Sequence, residues 1–385
     1  MSNNGRPLVL QSTNPPPPVH GVANVVDMIL RSPPLNDRYE LQYMDLRKRS
    51  GTKFSERLSL ENLYYTAKQL ADLIRRLLFR RPHIFHAHVT EYWGFRKNML
   101  FVIIAKCVGC KIVAHLHGAR FDSYYDGASI FERRIIEWFL NLADVVIVLS
   151  PRWKAFCGRF LNSEKIEVVP NAIRWEYMAA VGQSFPQRED RQSVNVLYVG
   201  STGARKGVFD LVKAIPDIVA RNPSVRFTIA GREEKAGEEK KLQELISQLG
   251  LAAWIKRIEP TQEEIIEVYK SADIYVLPSY ADAFPVAILE AMSMGLPIIS
   301  TRVGGIAEMV EEGKGAALIE PGDLEALRSE ILRLAAGPEL RFAMGKKNWE
   351  RFRSCFSPNF VSRLIGQIYD GLLNEVARTP RGSPA

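Results

Sequence analysis

The stretch Asp282 to Gly295, DAFPVAILEAMSMG, carries two carboxylates eight residues apart, Asp282-x7-Glu290. Pro285 suits a first helical position and Gly295 the residue just past a helix end, so a helix is expected over 285–294. Within it Glu290 stands among apolar or small residues, Val286, Ala287, Ile288, Leu289, Ala291, Met292, Ser293 and Met294. A carboxylate buried there is costly unless something hydrogen-bonds it, and the partner is either another part of the chain or a ligand. Backbone N–H groups at a helix start lack intrahelical acceptors, and with the helix dipole those around Ala283 to Ala287 suit a phosphate. Glu290 lies roughly 7 Å further along the axis, where a carboxylate could accept from both hydroxyls of a ribose. Taken alone, Asp282 reads equally well as a helix cap.

A second set of charges sits in YVGSTGARKGVFDL. The spacing predicts a strand ending at Gly200, a glycine-rich loop with Ser201, Arg205 and Lys206, and a helix. Cations on such a loop suit a diphosphate, although either residue alone could be a solvated surface charge. The pattern is neither a P-loop nor G-x-G-x-x-G, and the acidic residue that a dinucleotide-binding dehydrogenase needs is missing. In the first half, His86 and His88 end one expected strand, and His115 and His117 end the next. Residues two apart share a strand face. Four histidines near one edge raise a metal site, yet no carboxylate or cysteine spacing supports it, so no metal is expected and His86 and His88 read as structural. Cys107-x-x-Cys110 lacks a second ligand pair and sits at a helix–turn–strand junction, which favours free thiols. Gly21, after the loop TNPPPPVH, would let backbone approach a ligand closely.

The elements that must position these residues alternate. PLVLQST, PHIFHAHV, KIVAHLHG, DVVIVLS and EVVP read as strands of the first half. VNVLYVG, VRFTIAG, IYVLPS, LPIIST and GAALIE read as strands of the second, with amphipathic helix patterns between them. That alternation implies α/β structure, two doubly wound parallel sheets covered by helices. Residues 178–193 are polar and unpatterned and read as a linker. The expected domains are 1–185 with a crossover helix 357–378, and 190–356, with 379–385 as a disordered tail.

The run LPSYADAFPVAILEAMSMGLPIISTRVGGIAEMV resembles the signature of retaining glycosyltransferase family 4, whose members have the GT-B fold of two Rossmann-like domains facing a cleft. YVGSTGARKG, HLHG and VPNAI resemble further blocks of that family, and the likeness is strongest over 194–335. The resemblance implies sugar transfer from a nucleotide diphosphate donor without a metal, in polysaccharide or glycolipid biosynthesis. It implies Glu290 on the ribose, and Asp282 with Ala283, Phe284, Pro285 and Val286 on the sugar hydroxyls and distal phosphate. It implies Lys206 on the leaving diphosphate, His117 beside the anomeric carbon, and Gly21 near the diphosphate or acceptor. Asp282 replaces the usual first Glu, Ala283 the usual Gly, and Ser201 a common phosphate-binding Arg, whose charge Arg205 would then supply. An epimerase or hydrolase on the same scaffold, or a non-catalytic nucleotide-binding subunit, are the alternatives.

Residues 1–193 carry 27 Lys and Arg against 18 Asp and Glu, whereas 194–385 carry 24 against 25. The basic excess clusters at Arg47-Lys48-Arg49, Arg75-Arg76, Arg80-Arg81, Arg96-Lys97 and Arg133-Arg134, beside apolar stretches such as ADLIRRLLFRR. Basic residues flanking an apolar helix face suit anionic lipid. Aromatics are not interleaved as a stacking platform for nucleic acid needs. With no apolar run of about 18 residues and no signal-peptide core, the expectation is a cytoplasmic protein, peripheral on the inner face of the cell membrane, that meets a lipid-linked or glycan acceptor.

Overall fold

A computed structural model describes residues 5–13, 21–46, 60–118, 120–182, 184–186 and 192–378. The chain divides into two compact units, residues 1–172 with 358–385, and residues 173–357. The division falls ahead of the expected linker. Residues 175–181 form a helix of the second unit, and Phe185 packs edge-on against Phe342 and Trp349 at ring distances of 5.2 and 6.0 Å. The helix Pro358–Arg378 groups with the first unit, where Ser362 bonds Ser32 at 2.8 Å and Asp370 bonds Arg38 and Tyr39. The 379–385 tail and the Arg47–Arg49 cluster lie outside the described residues.

The first unit holds β1 (Leu8–Thr13), β2 (Glu40–Asp45), β3 (Ile84–Val89), β4 (Lys111–Leu116), β5 (Val145–Val148) and β6 (Ile166–Val168) in the order β2-β1-β3-β4-β5-β6. The second holds β7 (Val194–Val199), β8 (Val225–Ala230), β9 (Ile255–Ile258), β10 (Ile274–Leu277), β11 (Ile298–Thr301) and β12 (Ala316–Ile319) in the order β12-β11-β10-β7-β8-β9. Every pairing is parallel. The chain winds outward from β7 through β9 and then returns to the other side of β7 as β10, so the direction reverses between β7 and β10. In the first sheet the reversal falls between β1 and β3. Such switch points open a crevice beyond the carboxyl ends of the strands.

Two strands escaped the sequence reading, β2 and β9, and both are edges. Their residues are mostly half-exposed, so ELQYMD and IKRI mix charge into the strand, whereas inner strands such as β3 and β10 are buried throughout.

Candidate active site

In the second unit the loops after β7 and β10 lie on either side of the switch point and are knitted together. The Tyr280 amide donates to the Arg205 carbonyl at 2.8 Å, and Thr301 Oγ1 donates to the Ser279 carbonyl at 2.6 Å. Two glycines allow the close approach. Gly207 (φ 73°) abuts the Pro278 carbonyl and Gly304 (φ 53°) the Asp282 carbonyl, where a Cβ would collide with each. A short 3₁₀ turn, Ala204–Lys206, precedes the helix Val208–Arg221, and the loop 278–285 leads into the helix Val286–Ser293. Pro285 is the cap of that helix, with ψ 119°, rather than its first residue, and Met294 closes it; the helix is one residue shorter at each end than the expected 285–294. Asp282, Ala283, Phe284 and Val286 are all buried at its start.

Lys206 and Asp282 form an ion pair whose side chains are only 14% and 10% exposed. Arg205, expected to supply the charge Ser201 lacks, is paired within the chain. Glu234 accepts from its Nε at 2.6 Å, and the Ala281 carbonyl accepts from its Nη1 at 2.9 Å. Ser201 Oγ donates to the other Glu234 oxygen at 3.2 Å. Burial alone would raise the Glu234 carboxyl, but the Arg205 hydrogen bond and charge overcome this and hold it below the usual range. Glu234 had no distinguishing signal within GREEKAGEE, where four Glu lie close together.

Glu290 has partners within the chain. Tyr269 donates its hydroxyl to Glu290 Oε2 at 2.8 Å, Tyr177 makes a second side-chain hydrogen bond, and the Arg174 charge lies near. Burial pushes the carboxyl up to about 7, against the pull of Tyr269, Arg174 and Tyr177. Arg174 is itself fixed by the Gln262 side chain and carbonyl. Sequence reasoning missed these three partners, which come from residues 174–177 and from the helix Glu264–Lys270, because nothing in their local patterns marks them as neighbours of Glu290.

In the first unit Gly21 opens the helix Gly21–Leu30, and the loop ahead of it lies outside the described residues. His88 of β3 stands opposite His115 of β4, and Gln11 of β1 opposite His86, so all four histidines and Gln11 share one face of the sheet. His86 stacks on His88 at 4.5 Å and 16° and His88 on His117 at 5.1 Å and 24°, while His115 lies tilted against His117 at 4.0 Å and 32°. Nitrogens of His86, His88 and His115 lie within 4.8 Å of one another. An imidazole lone pair lies in its ring plane, so near-parallel rings do not converge on one ion, and no carboxylate or thiol joins this cluster among the described residues. Burial drives His86 down to about 3 and His88 and His115 well below the usual histidine range, each helped by neighbouring imidazoles. Cys107 and Cys110 are free, and Cys110 donates to the Pro82 carbonyl at 3.2 Å.

The family profile described as Glycosyl transferases group 1 matches residues 183–351, and that described as Glycosyltransferase Family 4 matches residues 24–176. A D-inositol 3-phosphate glycosyltransferase of Corynebacterium jeikeium is 32% identical over 154 residues, 39% of this chain and 37% of that protein. The chain thus spans well under half the length of that relative. Among solved structures, sucrose-phosphate synthase from Thermosynechococcus elongatus superposes with TM-score 0.73 at 19% identity, covering 96% of this chain and 100% of that one. HepE of Anabaena, in complex with UDP, superposes with TM-score 0.73 at 17% identity, covering 95% and 100%. Two parallel six-stranded sheets of this topology define the GT-B architecture. The chain belongs to the family 4 glycosyltransferases.

Proposed function

We propose that this chain transfers a sugar from a nucleoside diphosphate donor to a glycan or lipid-linked acceptor, with retention of the anomeric configuration and without a divalent metal. The single observation that carries the reading is the Lys206–Asp282 pair beside the N-terminus of the helix Val286–Ser293, at the switch point of the second sheet. A departing phosphate bound there would meet a cation and the amides of a helix start. UDP in the HepE structure is a donor product of the expected class. Glu290, oriented by Tyr269 and Tyr177, would accept from the ribose hydroxyls, and the amides of 283–286 would meet the distal phosphate.

In the reaction the bond from the anomeric carbon to the diphosphate oxygen breaks. A bond to the acceptor oxygen forms on the same face, and the acceptor proton leaves with the nucleoside diphosphate. Charge grows on the departing phosphate, where Lys206 would stabilise it in the role a divalent metal would otherwise fill. Incubation with a panel of nucleotide sugars, with and without a lipid-linked acceptor and in excess EDTA, tests the reading. Acceptor-dependent release of nucleoside diphosphate that survives EDTA supports it. Activity lost in EDTA and restored by magnesium overturns the metal-free step, and product formation without acceptor favours the epimerase or hydrolase alternative.

The acceptor would be met at a membrane. The helix Leu60–Arg80 exposes Leu63, Tyr64, Leu78 and Phe79, and the helix Ile130–Leu142 exposes Ile130, Phe131 and Trp138, each beside arginines. Among the described residues no helix is long and apolar enough to cross a membrane. These faces support peripheral contact with anionic lipid.

A further inference from the structure

The histidine ladder contains two separate hydrogen-bonded chains. In one, Tyr369 Oη lies 2.7 Å from His86 Nδ1, and His86 Nε2 lies 3.3 Å from His115 Nδ1. In the other, Gln11 Oε1 lies 3.0 Å from His88 Nε2, and His88 Nδ1 lies 2.9 Å from His117 Nε2. The second chain ends on the histidine at the mouth of the sheet, and its polarity follows from the Gln11 amide, whose oxygen faces His88 while its Nε2 is buried without a hydrogen-bond partner among the described residues. An amide oxygen only accepts, so the proton of a neutral His88 must be on Nε2. His88 Nδ1 then holds a lone pair and accepts, so the proton it receives comes from His117 Nε2.

We propose that Gln11 is a positioning residue for His117: its amide oxygen, acting through His88, places the ring proton of His117 on Nε2 and leaves Nδ1 as an acceptor. Burial of His88, 5% exposed, keeps it neutral, and a neutral ring is what lets the relay carry direction. The stacking at 16° and 24°, with His115 tilted against His117 at 32°, holds the ring planes so that neither histidine rotates out of line. Reversing the Gln11 amide would turn each donor in this chain into an acceptor and put the His117 proton on Nδ1. The functional consequence rests on the glycosyl-transfer reading: an acceptor at Nδ1 would receive a hydrogen bond from a donor-sugar hydroxyl, whereas the other tautomer would repel it.

The test is long-range proton–nitrogen NMR on the full chain labelled with nitrogen-15 histidine. The His117 signals are identified by their loss in His117→Asn. The expected result is a protonated Nε2 and an unprotonated Nδ1 in the wild type. In Gln11→Met, which keeps the volume and removes the acceptor, the two His117 nitrogens should shift toward each other as the tautomers mix. Should Gln11→Met fail to fold, Gln11→Asn withdraws the amide by one methylene and reads the same change. A His117 protonated on Nδ1, a doubly protonated ring, or a His117 spectrum unmoved by loss of the Gln11 amide overturns the proposal. If the tautomer is as expected while no nucleotide sugar supports transfer, the relay stands and the transfer reading falls.

Discussion

The two units place opposite chemistry at equivalent edges of similar sheets. Beyond β7 and β10 the second unit gathers ions: Lys206 with Asp282, Arg205 with Glu234, and Glu290 behind them. On one face of β3 and β4 the first unit gathers neutral rings, with His86, His88 and His115 driven away from their charged forms by burial. Its cations lie instead on outer helices such as Leu60–Arg80. The difference follows from what each edge would have to do. A departing diphosphate needs charge held ready, and holding it ready without a ligand means pairing each cation with a carboxylate. A sugar ring needs oriented donors and acceptors, which neutral imidazoles supply without the desolvation cost of buried charge.

The largest effect should come from breaking the charged edge. Lys206→Ala should lower kcat/KM by about 10²–10³-fold, the range seen when one donor to developing negative charge is removed. The same change leaves Asp282 buried without its cation, a cost on the order of 3–5 kcal/mol. The double variant Lys206→Met with Asp282→Asn should recover most of that stability without recovering activity. Thermal melts and steady-state kinetics on the same preparations separate the two losses. If Lys206→Ala retains wild-type turnover, the second unit is not the donor side.

Glu290 makes the charged edge pH-dependent. Its folded-state carboxyl is raised to about 7, above its ordinary 4.5, so the unfolded chain gives up this proton first. The stability contribution is therefore fully present below pH 4.5 and lost as pH rises through 7. The shift corresponds to ~3 kcal/mol lost between those limits. Glu290→Gln, which keeps an acceptor for Tyr269 and Tyr177, should flatten that decline, so the ligand-free variant should melt above the wild type at pH 8. It should also bind the donor less tightly, because a ribose hydroxyl loses a charged acceptor. Melting curves from pH 4 to pH 8 read the first effect and donor titration the second. A variant that melts below the wild type at pH 8 would show Glu290 to be a structural anion paired with Arg174.

Arg205 tests whether a pre-paired cation serves as well as a free one. Arg205→Ala should lower kcat/KM about tenfold, less than Lys206→Ala, since one charge-assisted hydrogen bond is worth roughly 1.5–3 kcal/mol and Glu234 already takes part of it. Glu234→Gln should move the opposite way and tighten donor binding. A wild-type rate in Arg205→Ala would mean that Ser201 stands where no charge is needed.

How much of this was legible in the sequence follows burial. Inner strands such as IFHAHV and IYVL are fully buried, so their composition announced them. Edge strands β2 and β9 are wetted and did not. The loops bearing Lys206 and Asp282, and the helix bearing Glu290, could be found because glycine, charge and a helix start fall together in sequence. Whether a charge is free could not be read, since Glu234 lies 29 residues from Arg205, and Tyr269 lies 21 residues from Glu290. Nor could the direction of the imidazole ladder, which depends on Gln11, 77 residues before its partner His88. Long-range pairing is fixed by the order of strands in the sheet, and one chain without its fold does not display that order.

The smallest effect concerns the outer face of the first unit, and it sharpens the contrast because there the cations would act on a surface rather than on a leaving group. Asp72 binds both Arg75, at 3.0 Å, and Arg76, at 2.8 Å, and the two guanidiniums hold its carboxyl below the usual range against the effect of burial. Glu40 lies 3.9 Å from Arg80. The face is thus less positive than its arginine count suggests. Near an anionic surface each Lys or Arg is worth about 1 kcal/mol, so masking two of them blunts attraction that the neighbouring Leu78 and Phe79 would otherwise complete. Asp72→Asn should therefore raise binding to anionic vesicles several-fold at low salt and leave neutral vesicles unbound. Replacing Arg75, Arg76, Arg80 and Arg81 by Ser should abolish the binding, with donor affinity unchanged in both variants. Co-sedimentation across a salt series reads the difference, because screening shortens to about 8 Å at physiological ionic strength. Should the wild type stay in solution at ~50 mM salt, where screening is weaker still, the basic helices serve only as a solvated cover over the first sheet, and the acceptor is a soluble glycan.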